Sequence, residues 1–175
     1  YKLAMHADPE TGSLAQELAD LYVQSGQIRS AVNEFEEAVK RNPDDLNARR
    51  ILGRLYMARI RDGQQSRVNE EILKQAIEQY DKVAEKSPGD VENWLLLGRL
   101  NKLGQNSAAA EKAFKKALEV SPENEDAMTG LAMVYSDLGD TAQASQLLKK
   151  VANRNPSLRT LAALAAAYEQ MKDFK

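Results

Sequence analysis

The side chains with chemistry to offer are few in kind. The one histidine, His6, has no cysteine anywhere in the chain to join it. No cluster of histidine or glutamate stands at ligand spacing either, so no metal site is expected. Carboxylates are abundant, as in Glu36-Glu37, Asp44-Asp45 and Glu70-Glu71. They recur at positions that read as helix surfaces or helix starts. Glu36 with Lys40 and Glu78 with Lys82 stand four residues apart, the spacing of an ordinary helix-surface pair. No glycine-rich phosphate loop, nucleophile elbow or His-Glu-x-x-His run appears. No catalytic residue and no cofactor-binding residue is therefore assigned, and the chain does not read as an enzyme. The uneven feature is cationic. Between Asn47 and Arg67 lie Arg49, Arg50, Arg54, Arg59, Arg61 and Arg67, against the single acid Asp62. At about 100° per residue, Arg50, Arg54 and Arg61 share one side of a helix. A guanidinium holds a carboxylate in a two-pronged geometry, so such a stripe suits an acidic ligand.

Composition limits what that ligand can be. The chain has 175 residues, 43% hydrophobic and 29% charged, which describes a folded rather than a disordered protein. A formal net charge of -2 argues against a nucleic-acid backbone as partner. The few aromatic residues argue against stacked RNA bases. No apolar run approaches the roughly 20 residues that span a bilayer, so membrane insertion is not expected.

The elements that must position these residues are set by a repeat. Pro9, Pro43, Pro88, Pro122 and Pro156 form one ladder, Ala31, Ala76, Ala110 and Ala144 a second, and Phe35, Tyr80, Phe114 and Leu148 a third. All three share one interval, interrupted once by the same insertion. Within each period the apolar residues fall at helical steps, as in Leu14, Leu18, Leu21 and Tyr22 or Ala31, Phe35, Ala38 and Val39. Gly26, Gly104 and Gly139 stand between the two helical runs, where a turn favours positive φ. Thr11, Asp45, Asp90 and Asn124 follow successive prolines and are placed to cap helix starts, with Ser157 in that role for the last unit. Ala19, Gly53, Gly98 and Ala132 mark close approach between the two helices of a pair. Trp94 sits at a helix-packing position and reads as core.

With these residues in hand, the chain resembles the tetratricopeptide repeat family. One unit carries Trp94, Leu97-Gly98, Ala110, Phe114, Ala117 and Pro122, and the others carry Leu52, Gly53, Tyr56, Tyr80 and their counterparts. The departures are Asn101 for a tyrosine, and Val83 and Val151 for a small residue. The resemblance implies an all-α, right-handed superhelical solenoid of stacked antiparallel helix pairs. The expected units are a tail of a preceding repeat over 1–11, repeats at 12–45, 46–90, 91–124 and 125–157, and the first helix of a truncated repeat over 158–175. It also implies a concave groove, lined by the first helix of each repeat, that takes partner peptides. By register Arg50, Arg54, Arg61, Arg99 and Lys102 are the partner-binding residues expected there. Gln16 and Asp20 lie before them, and Asp126, Met133 and Asp137 after. Family members that grip a chaperone's C-terminal carboxylate use lysine, asparagine and arginine at set positions. Gln16, Asp20, Leu96 and Asp126 depart from that set, so no such clamp is expected.

The interruption adds 11 residues within 57–75, read as an extended hairpin with its turn at Asp62-Gly63. The first helix should run to about Arg61, and the second should start near Ser66 or Asn69. The expected function is a non-catalytic scaffold for a protein or peptide, acidic where it crosses these cations, without nucleic acid. The alternative is a regulatory or targeting arm of a larger enzyme or of an envelope or assembly protein. Leu161, Leu164 and Ala165 at one cut end suggest end-to-end self-association.

Overall fold

The computed structural model describes residues 9–62, 69–154 and 158–173, and these are helical with short connections. They divide into two compact units, Tyr1–Lys86 and Ser87–Lys175. The first holds α1 (Pro9–Gln24), α2 (Ile28–Arg41), α3 (Leu46–Asp62) and α4 (Glu70–Lys86). The second holds α5 (Val91–Leu103), α6 (Ser107–Val120), α7 (Glu125–Asp137), α8 (Thr141–Ala152) and α9 (Leu158–Asp173). In the second unit each helix packs on the next, and α5, α7 and α9 also meet in succession. In the first, α2 packs between α1 and α3, α3 packs on α4, and α1 also reaches α3. Contacts limited to near neighbours are the signature of stacked helix pairs rather than a bundle around one core.

Capping follows the sequence with one exception. The Asp45 carboxylate accepts from the Ala48 N–H at 2.9 Å, Asp90 from Asn93 at 3.1 Å, and Asn124 from Ala127 at 2.8 Å. Each satisfies an N–H that the helix itself leaves without a partner. Thr11 is the exception, because α1 already begins at Pro9 and Thr11 lies inside it. Proline is suited to the first helical position, since its missing N–H is not needed there. The expected cap Ser157, the stub at 1–8 with His6, and the turn at Gly63 lie outside the described residues.

The turns between paired helices contain a second correction. Gly26 and Gly139 adopt φ of 71° and 80°, but Gly104 does not, with φ -79°. The left-handed residue there is Gln105, at φ 58°. The hydrogen bonds explain the shift. Gln27 donates to the Tyr22 carbonyl, Asn106 to that of Asn101 and Asp140 to that of Tyr135, always five residues back. The residue before each donor must be left-handed, and that register selects Gly26, Gln105 and Gly139.

The insertion is spread over both helices of its pair. α3 has 17 residues against 13 in α5 and α7, and α4 has 17 against 14 in α6 and 12 in α8. Asn69 caps α4 by accepting from the N–H groups of Glu71 at 3.1 Å and Ile72 at 3.3 Å.

The aromatic ladder sets the spacing of the pairs. Tyr80 and Phe114 are each about 1% exposed and press against glycine. A Cβ built on Gly53 would lie 2.8 Å from the Tyr80 ring. One on Gly98 would lie 2.6 Å from Phe114, and one on Gly130 2.4 Å from the same ring. Phe114 is therefore held between α5 and α7 by two glycines, one from each helix. Val83 and Val151 fill their small-residue positions while fully buried. Asn101, in the tyrosine place, is buried and turns its amide N–H onto the Leu97 carbonyl at 2.9 Å. Trp94 is half-buried against the core of its unit and donates its indole N–H to the Pro88 carbonyl at 2.8 Å.

Candidate binding groove

The second unit carries a concave pocket of about 470 Å³ between α5, α6 and α7. Every third or fourth residue of α7 faces it: Asp126, Thr129, Gly130, Met133 and Asp137. This is the face that helical periodicity would place on one side. From α5 come Arg99, Lys102 and Leu103, with Gln105 from the turn beyond. Phe114 of α6 backs the floor.

Both predicted cations of this unit are engaged. Arg99 donates to Asp126 at 3.0 Å and Lys102 lies 2.7 Å from Asp137. The two cations are three residues apart on α5, whereas their acids sit near opposite ends of α7. The pairs therefore diverge, and between them α7 presents Thr129, Gly130 and Met133. Leu103, 46% exposed, adds apolar surface at the same opening. Ion pairs as exposed as these are worth about 0–1 kcal/mol, so a ligand can exchange for either partner at small cost.

The first unit holds the other three predicted cations. Arg54 donates to Asp20 at 3.0 Å, with both side chains about half exposed. The same Asp20 oxygen accepts from Gln16 at 3.0 Å. Arg50 reaches Asn47 at 3.4 Å. Arg61 is exposed near the end of α3. Arg49, from the same arginine run, is structural: it donates to the Pro43 carbonyl at 2.8 Å and to Gln79 at 2.9 Å. The structure thus brings Arg99 and Lys102 together in one pocket and sets Arg50, Arg54 and Arg61 along one helix of the other unit.

Two expected surface pairs are re-partnered. Lys40 pairs with Glu37 at 2.8 Å, not with Glu36, and Lys82 pairs with Glu85 at 3.1 Å, not with Glu78. Glu36 is taken by Tyr56, whose hydroxyl donates to it at 2.6 Å. Burial first, and then the Glu36 hydrogen bond, push the Tyr56 phenol far above its ordinary pKa. Among the described residues no group of three or more His, Asp or Glu side chains could hold a metal ion. No helix among them is long and apolar enough to cross a membrane.

Sequence reasoning missed Gly130, Thr129, Leu103 and Phe114 as pocket residues. A signal was present for Gly130: it stands 34 places after Leu96, off the ladder of close-approach residues.

Comparison with known proteins follows the same lines. Residues 82–175 match the sequence profile of the cytochrome c-type biogenesis protein H TPR domain, and residues 17–63 match a tetratricopeptide repeat profile. No curated protein sequence matches the chain. Among solved structures, the chain is similar to MamA, with a TM-score of 0.76 at 22% identity, covering 94% of this chain and 85% of that one. It is also similar to a tetratricopeptide repeat protein from Parabacteroides merdae, with a TM-score of 0.74 at 19% identity over 95% of this chain and 61% of that one. A thermophilic TPR protein of Thermus thermophilus gives a TM-score of 0.67 at 21% identity, over 94% and 81%. At such identities these likenesses concern the fold.

Proposed function

The chain belongs to the cytochrome c-type biogenesis protein H TPR domain family, and on that premise we propose that it is a non-catalytic scaffold holding a protein or peptide partner of cytochrome c biogenesis. The observation that carries this reading is the pocket on α5 and α7, open between two exchangeable ion pairs. Such a surface offers shape, hydrogen bonds and charge, and the pocket lining contains no nucleophile paired with a base. Arg99 and Lys102 in one unit, and Arg50, Arg54 and Arg61 in the other, are the partner-binding cations. Acidic residues of the partner would replace Asp126, Asp137 and Asp20 on them. Charge-assisted bonds of this kind fix register and speed encounter.

A second reading is favoured by the matched profile itself, which describes one domain of a biogenesis protein. In that reading the chain is the targeting arm of an assembly protein whose other parts act on what the scaffold holds. The two readings share the same surface.

The test is affinity capture from native extract with mass spectrometry. Wild type is compared with the double variants Arg50→Glu/Arg54→Glu and Arg99→Glu/Lys102→Glu. The expected result is loss of a cytochrome c biogenesis component with at least one pair, and weaker capture of it as salt rises to physiological strength. Identical partners and yields from all three proteins, indifferent to salt, would refute the groove reading.

A further inference from the structure

We propose that the pocket on α5 and α7 is an anchor site for one apolar side chain of the partner, of leucine, methionine or phenylalanine size. The proposal rests on the scaffold reading above and names what its second unit recognises. Three observations carry it. Arg99 and Lys102 already hold Asp126 and Asp137 at 3.0 and 2.7 Å, so the charges at the rim are balanced before any ligand arrives. A ligand that were only acidic would merely exchange one carboxylate for another there. The divergence of the two pairs leaves a gap whose surface is Thr129, Gly130, Met133 and the exposed Leu103, over the Phe114 ring. That surface gains from an apolar occupant and offers little to a charged one. Finally, the gap depends on this repeat's own sequence. Leu96 occupies the equivalent place one repeat earlier, whereas Gly130 has no side chain and so admits the Phe114 ring, 2.4 Å from where its Cβ would stand, as the apolar floor. The volume, about 470 Å³, lies within the roughly 300–1,000 Å³ of pockets that enclose small ligands. It suits a side chain with part of its backbone rather than a whole helix face.

The charge arrangement also orients the anchor's neighbours. Both cations are on the α5 wall and both acids on the α7 wall. A partner with carboxylates on the side of its anchor that faces α5, and a cation or amide on the side that faces α7, replaces both pairs without leaving a charge uncompensated. The recognised chemistry is therefore an apolar residue flanked by polar or charged ones.

The experiment uses the full chain, labelled with ¹³C at the methionine methyls. It is titrated with the peptides Asp-Ser-X-Ser-Lys, where X is Leu, Phe, Ala or Ser. Leu and Phe peptides should shift the Met133 methyl and bind at least tenfold more tightly than the Ala and Ser peptides. Met133→Lys, a change at a half-buried surface position, should weaken the Leu peptide at least tenfold while leaving helicity and melting temperature in place. Equal binding of all four peptides, unaffected by Met133→Lys, would overturn the anchor and leave the cationic groove standing. Leu-selective binding that survives Arg99→Gln/Lys102→Gln would support the anchor and overturn the electrostatic part of the scaffold reading. No shift with any peptide at millimolar concentration would overturn both.

Discussion

Phe114 offers the sharpest test of how the second unit is packed. Alanine at Gly98 would place a methyl 2.6 Å from the ring, and alanine at Gly130 would place one 2.4 Å away. Carbon atoms prefer about 3.5–4.0 Å, so each methyl overlaps the ring by roughly 1 Å. The ring is 1% exposed and packed into the core of its unit. Forcing a methylene-sized group into a filled core costs about 1–3 kcal/mol. Replacing a mid-helix glycine by alanine returns about 1 kcal/mol through helix propensity. The expected net loss is therefore about 0–2 kcal/mol for either variant, read from urea midpoints at unchanged slope. Alanine stands in the glycine place of two other repeats, Ala132 with the smaller Leu148 and Ala19 with Phe35, so the conflict belongs to the way the Phe114 ring presses on both helices here. Gly98→Ala combined with Phe114→Leu should accordingly be less destabilised than the sum of its parts by about 1 kcal/mol or more. A Gly98→Ala protein more stable than wild type, or strict additivity in the double variant, would refute the close approach.

Other expected outcomes follow from single positions. Gln105→Gly should stabilise the fold by about 0.5–1 kcal/mol, because the left-handed conformation strains a side chain more than glycine's added unfolded-state freedom costs; thermal melting checks it. Leu97, 2% exposed, should not tolerate aspartate, which would bury a carboxylate without a partner, and circular dichroism of Leu97→Asp should show lost helicity. The Tyr56 pKa is raised in the folded chain by burial and by Glu36, so the neutral phenol is the form that folding favours. Its contribution is fully present below the unfolded value near pH 10 and is lost as pH rises above it. Urea midpoints between pH 8 and 11 should therefore fall for wild type and fall less steeply for Tyr56→Phe. That variant should itself be destabilised at pH 8 by about 0.5–1.5 kcal/mol.

The repeat is legible because three ladders of different residue types share one period, and packing tolerates few substitutes at those places. Asp45, Asp90 and Asn124 can be read as caps since their chemistry is local. Gln105 is not legible from composition, because Gly104 next to it is the better left-handed residue. Only the five-residue hydrogen bond from Asn106 to Asn101, matched to its two counterparts, fixes the register. The five cations stand out in the sequence, but their partners do not. Asp20 and Arg54, or Arg99 and Asp126, meet across successive repeats, and such encounters depend on how pairs stack rather than on spacing along one helix. The same reason hides the pocket: its floor comes from a glycine on one helix and a ring on another.

That ring bears on how an array of this kind can change over generations. Tandem repeats invite unequal recombination, which copies one module over another. Phe114 belongs to the third repeat, yet one of the two glycines that admit it belongs to the fourth. Overwriting the fourth repeat with the third would bring the equivalent of Leu96 to position 130 and drive an isobutyl group into the ring. A change at position 114 or at position 130 is therefore expected to be felt in both repeats.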